Sequence, residues 1–165
     1  MAVYNNATCT SGDMKLRRIP KTAGVLVKQG NFMVQVSSAA SLASSLADSG
    51  TKAQNQEAAH DIFLGVSQDE SLAAMTKDIL VATAGVHTFP CTALGQAYPI
   101  GTFFGLAGTG SAGAVGVSDT DVEPVATANL AIGKLAALAA SGATSVSLEL
   151  TSTLYDVSGG TQAAA

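Results

Sequence analysis

The sequence predicts a mainly β fold, a compact single-domain β-barrel with an extended N-terminal arm and one or two short helices. Three observations predict it. Apolar residues arrive in short bursts at 61–66, 79–86 and 101–106, each punctuated by glycine, and bursts of that length suit buried strands better than helices. Val146, Leu148 and Leu150 alternate with polar residues, the two-residue period of a half-buried strand. The intervening segments are rich in Ser, Thr, Asn, Gln and Gly rather than in charge.

The elements follow in order. Residues 1–24 form the expected arm: they are polar, carry Lys15, Arg17, Arg18 and Lys21, and end in Pro20 and Gly24 at a turn. The barrel body spans 25–157. It opens with two β-rich runs separated by Gly30-Asn31 in the manner of a hairpin. Residues 37–56 are a Ser/Ala/Gln-rich insertion in which Leu42 and Leu46, four apart, can seat a short helix, although its serines favour a partly ordered excursion. Residues 61–67 read as a strand, 70–76 as a turn or short helix, and 79–89 as a longer strand stopped by Pro90.

A further burst runs from Tyr98-Pro99 to Ala107, then a glycine-rich loop over 108–113 and a short strand over 115–118. Two readings compete over 129–150. Alanine and leucine favour a helix over 129–140, whereas Gly133 interrupts it and a turn at 141–144 makes a hairpin with the alternating strand that follows. Residues 158–165 read as a flexible tail.

Composition bounds the function. A single domain of 165 residues buries about 70% of its unfolded surface and needs no staples. Charged residues make up 12% of the chain and hydrophobic ones 47%, where about 25% charged is usual. With a net charge of −4, little electrostatic repulsion keeps copies apart, so incorporation into an oligomer or larger assembly is expected. No broad basic face exists to bind nucleic acid, and aromatic stacking groups are missing beside the one basic cluster. Cys9 and Cys91 are too few and too far apart for a disulfide framework or zinc site, which reads as two free thiols in a reducing compartment. The N-terminus lacks the build of a signal peptide. No apolar stretch reaches membrane-spanning length, the nearest being alanine-rich and containing Lys134. The chain is expected to be made in cytoplasm, with no membrane partner.

Candidate chemistry is thin. The glycines of 108–113 lack the following helix and acidic residue of a dinucleotide-binding turn. His87 and Cys91, four apart, form a conceivable thiol dyad, but no orienting group or nucleophile turn accompanies them, and a half-buried strand histidine is the plainer reading. His60 beside Asp61 reads as a capping or surface residue. Asp119, Asp121 and Glu123 alternate but lack the spacing of a calcium loop, and read as an exposed acidic turn. No catalytic residue, cofactor or metal is expected.

The order of bursts carries a resemblance. Phe63-Leu-Gly-Val, then Val81-Ala-Thr-Ala-Gly-Val, then Gly133-Lys-Leu before Gly142-Ala-Thr resemble the strand motifs of the capsid decoration, or cement, proteins of tailed bacteriophages with a small β-barrel body. The likeness covers residues 25–157. It implies a virion protein on the outer capsid surface, partnered by the major capsid protein and by itself as a homotrimer, that cements neighbouring capsid subunits. In that role Met14, Leu16 and Ile19 are expected to make apolar contacts and Lys15, Arg17 and Arg18 to face acidic capsid surface. Leu42 and Leu46 in the insertion are further contact candidates. The alternatives are a tail-tube, head-completion or minor capsid component, a small-molecule-binding barrel, or a thiol enzyme built on His87 and Cys91.

Overall fold

The structure, a computed structural model, describes residues 8–11, 14–109 and 116–155, the first of these by backbone course alone. Eleven strands and one α-helix lie among them. In chain order the strands are β1 (Thr8–Ser11), β2 (Leu16–Ile19), β3 (Phe32–Val36), β4 (Ala39–Leu42), β5 (Phe63–Ser67) and β6 (Ile79–Ala82). They continue as β7 (Ala84–Pro90), β8 (Phe103–Thr109), β9 (Gly116–Pro124), β10 (Gly133–Leu135) and β11 (Ser145–Thr151), with helix α1 (Lys52–Asp61) between β4 and β5.

The mainly β class is as expected, but the closed barrel is not. One sheet has the order β1-β7-β11-β10-β8-β9 and the other β2-β6-β5-β3-β4, with antiparallel pairing throughout. Each sheet curls until a single parallel bridge stitches it across, from Cys91 just past β7 to Val122 of β9 in the first and from Lys21 just past β2 to Ala40 of β4 in the second, and neither gains a continuous closing ladder. The reason lies at Thr83. β6 and β7 are one run of chain broken there, where the Thr83 N–H donates to the Lys15 carbonyl at 2.8 Å, so the strand leaves one sheet and enters the other. Strands that switch sheets make the corners of packed-sheet folds.

The two sheets share the larger core. Phe32 and Val34 of β3, Phe63 and Val66 of β5, Phe89 of β7 and Phe104 of β8 meet there, with the Phe32 and Phe89 rings 5.1 Å apart. The opposite face of the second sheet buries Ile19, Val27, Met33, Leu64, Ile79 and Val81 in a second cluster. Burial on both faces explains why β5 reads as a continuous apolar burst and is buried at every position. β7, with one face inward, alternates buried and half-buried. Each large side chain so enclosed contributes roughly 1.5–3 kcal/mol.

Several local expectations change. The arm is extended over β1 and β2, but both are built into the sheets, β1 against β7 and β2 against β6. Residues 1–7 lie outside the described residues. Gly30 does turn the chain, at φ 89°, but the run before it is no hairpin partner: Val27 bridges Ser71 instead, and the hairpin is β3–β4, turning at Ser37 with φ 57°. The α-helix forms at 52–61, starting at the end of the insertion and running into the first residue of the expected 61–67 strand, and the Thr51 hydroxyl accepts from the Gln54 N–H at 3.3 Å to cap its first turn. Leu42 instead ends β4, and Leu46 follows a 3₁₀ turn at Ala43–Ser45. Over 129–150 the hairpin prevails, with β10 pairing β11 in register; a short 3₁₀ turn at Ala128–Leu130 is all the helix that the alanines support. Most of the 108–113 loop, and the 158–165 tail, lie outside the described residues.

Candidate functional site

Two surface features stand out, and they lie on different elements. The first is β2, an edge strand of the second sheet. Met14, Lys15, Leu16, Arg17 and Arg18 are all exposed, whereas Ile19 is buried in the second core cluster, so Ile19 is corrected from contact residue to core residue. The Arg17 guanidinium stacks over the Tyr155 ring at 4.3 Å, which fixes an otherwise long, free cation. Lys21 is not part of this surface. Its side chain is buried, and Nζ donates to the carbonyls of Val25 at 2.6 Å and Leu72 at 2.8 Å. Leu42 and Leu46 are half-buried against different clusters, Leu42 on the second, which also holds Ile19 of β2, and Leu46 on the first.

The second feature is an uncharged apolar end that the sequence reading missed. Tyr98 bridges Ala139 and the Gly101 N–H donates to Leu135 at 2.8 Å, tying two loops together. On these loops Ile100 is 67% exposed and Leu138 70%, the two most exposed large apolar side chains among the described residues. No Asp, Glu, Lys or Arg occurs between Asp78 and Asp119, nor between Lys134 and Glu149. That double gap was the available signal. Lys134 stands at the root of this end, its Nζ 5.4 Å from the Phe103 ring centre.

Of the groups that could carry chemistry, two pair with backbone carbonyls and one is buried without a partner. His87 is fully buried and neither ring nitrogen has a hydrogen-bond partner; burial pushes its pKa down, the Ala84 backbone opposing only in part from outside hydrogen-bond geometry. The Cys91 thiol lies 3.6 Å from the Ala143 carbonyl, and burial, with the nearby Asp121 charge, pushes its pKa up. A raised thiol pKa disfavours the thiolate. Nδ1 of His60 pairs with the Ala131 carbonyl at 2.6 Å.

The acidic run is not an exposed turn, because it lies within β9 and binds the insertion to the body. Asp119 accepts from the Ser44 N–H at 2.7 Å and hydroxyl at 2.6 Å. Glu123 pairs with Lys52 at 2.8 Å and accepts from Gln56 at 2.7 Å. Among the described residues no group of three or more His, Cys, Asp and Glu is placed to hold a metal. A cleft of about 330 Å³ opens where β6 passes into β7, lined by Lys15, Thr83, Lys134, Glu149, Ser152 and Tyr155.

In comparisons with known proteins, no family model matches the sequence and no curated protein matches it.

Proposed function

We propose that this chain is a structural virion protein that binds the outer surface of an assembled phage capsid and cements neighbouring major capsid subunits, acting as a homotrimer. The observation that carries the reading is the uncharged end bearing Ile100 and Leu138. Two large apolar side chains about two-thirds exposed, on loops without a charged residue, favour burial against another protein over life as a free monomer. A clamp repeated over many capsid sites needs only modest affinity at each, because the sites act together. The order of strand motifs supports the capsid setting, and the pairing of His60 and Cys91 with backbone carbonyls, with His87 sealed in the core, supports a role without catalysis.

The test is light scattering on the purified chain followed by co-sedimentation with undecorated capsids. Saturable binding of a trimer, or of a monomer that trimerises on the shell, is the expected result. A chain that ignores capsids, or that forms rings or tubes unaided, overturns the reading and in the second case points to a tail component.

A further inference from the structure

The main-chain groups of β2 face two ways. Thr83 N–H donates to the Lys15 carbonyl, and Arg17 and Ile19 lie opposite Val81 and Ile79, so residues 15, 17 and 19 spend their backbone groups on β6. By the alternation of an antiparallel ladder, the N–H and C=O groups of Leu16 and Arg18 point to the outer edge. Downstream that edge is taken: the Pro20 carbonyl accepts from the Ala40 N–H at 2.7 Å and the Thr22 N–H donates to the Ala40 carbonyl at 2.9 Å. Upstream it is open among the described residues. β4 begins only at Ala39, and among the described residues nothing pairs with the outer groups of Leu16 and Arg18.

Charge decides what fits this opening. Lys15, Arg17 and Arg18 are three of the eight Lys and Arg in a chain of net charge −4, and all three are exposed on or beside one short strand. A second copy pairing edge to edge would set these cations against their own kind, which is how natural edge strands prevent self-pairing. An acidic segment meets the opposite situation, since its carboxylates gain three cations while its backbone gains ladder bonds.

We propose that the outer edge of β2 at Leu16–Arg18 is a strand-addition site that accepts an extended acidic segment of a different protein. β2 is already seated in its own sheet, so it receives a strand and does not donate one. The proposal stands apart from the capsid reading, because it rests on β2 and not on the Ile100–Leu138 end.

The experiment uses the full chain and a capped peptide of about eight residues alternating Glu with Val, chosen to be extended and acidic. Two control peptides replace Glu by Lys, or place Pro at the ladder-bonding positions. Amide hydrogen exchange of the chain is followed by NMR. The expected result is that the Glu peptide binds and protects the Leu16 and Arg18 amides, while neither control does. Leu16→Pro removes an outward donor without touching the bonds to β6 and should weaken binding roughly fivefold. Arg18→Glu, which leaves the edge backbone intact, should weaken the Glu peptide, while the Lys peptide, still facing Lys15 and Arg17, stays unbound.

Three results overturn the proposal. One is no protection at these two amides on adding the Glu peptide. Another is equal binding of the Pro peptide, which reduces the effect to charge alone. The third is concentration-dependent protection of the same amides without peptide, which assigns the edge to a second copy.

Discussion

Gly65 on β5 lies so close to the neighbouring strand that a β-carbon built on it would stand 2.0 Å from the Ala82 carbonyl oxygen. Its φ of +144° is also a conformation that side chains disfavour. Two strands pack here at a separation that glycine alone allows, in the middle of the element that serves both core clusters.

Gly65→Ala should therefore be severely destabilising, by about 3 kcal/mol or more, because both the clash and the backbone strain must be relieved by moving β5 from β6. Urea denaturation of wild type and variant checks this. A midpoint unchanged within error would mean that β5 and β6 are not in this register.

Lys21 gives a prediction of opposite character, since it looks like a surface cation in sequence and is a buried donor in the fold. Lys21→Met keeps the aliphatic stem but leaves the Val25 and Leu72 carbonyls without their donor. A loss of about 2 kcal/mol is expected in thermal or chemical denaturation. Lys15→Met, at an exposed position, should change stability by no more than about 0.5 kcal/mol.

His87 predicts a pH dependence. Burial lowers its pKa below the ordinary 6.5, so the unfolded chain binds this proton more readily than the folded one. The stability it contributes is present above 6.5 and is lost as pH falls from there through the lowered folded value. Melting temperature recorded against pH should fall on this limb, and His87→Leu should flatten it. An imidazole signal titrating at or above the ordinary value would sink the account.

Ile100 and Leu138 separate adhesion from folding. Because both are largely exposed, the double variant Ile100→Ser with Leu138→Ser should keep its stability within about 0.5 kcal/mol. Its binding to undecorated capsids, measured by co-sedimentation, should fall by at least about tenfold. Unchanged binding would remove this end from the interface.

Glu123 tests whether the insertion is anchored through β9. Glu123→Ala releases Lys52 and one of the two bonds of the Gln56 side chain amide. A loss of about 1 kcal/mol is expected, with proteolytic cleavage rising first around 43–56.

Much of the strand inventory was legible because its signal is local. The alternation of 146–150 reported a strand, the 61–67 burst reported one that begins at Phe63, the 79–89 burst holds two strands broken at Thr83 where one was expected, and Gly133 rightly argued against a helix across 129–140. The burial of the basic segment was half legible. Met14 to Arg18 are exposed as their composition implied, whereas Ile19 and Lys21, a few residues on, are buried. Nothing in the local sequence separates them: Ile19 is covered by Ile79 and Val81 on another strand, and one acceptor of Lys21 belongs to Leu72, 51 residues away. The Ile100–Leu138 end went unread for the same reason, since it exists only where two distant loops pair.

The sequence by itself determined the β class, the strands and a charge-poor surface, because periodicity, glycine punctuation and composition act within a few residues. Only the tertiary structure decided that the strands divide between two curled sheets instead of closing one barrel. The turn of chain at Thr83 depends on its bond to Lys15, 68 residues earlier, and that pairing chooses which edges are stitched and which, like β2 at Leu16 and Arg18, stay open. Strand partners are selected by non-local hydrogen bonds and shared burial, and no local pattern encodes that choice.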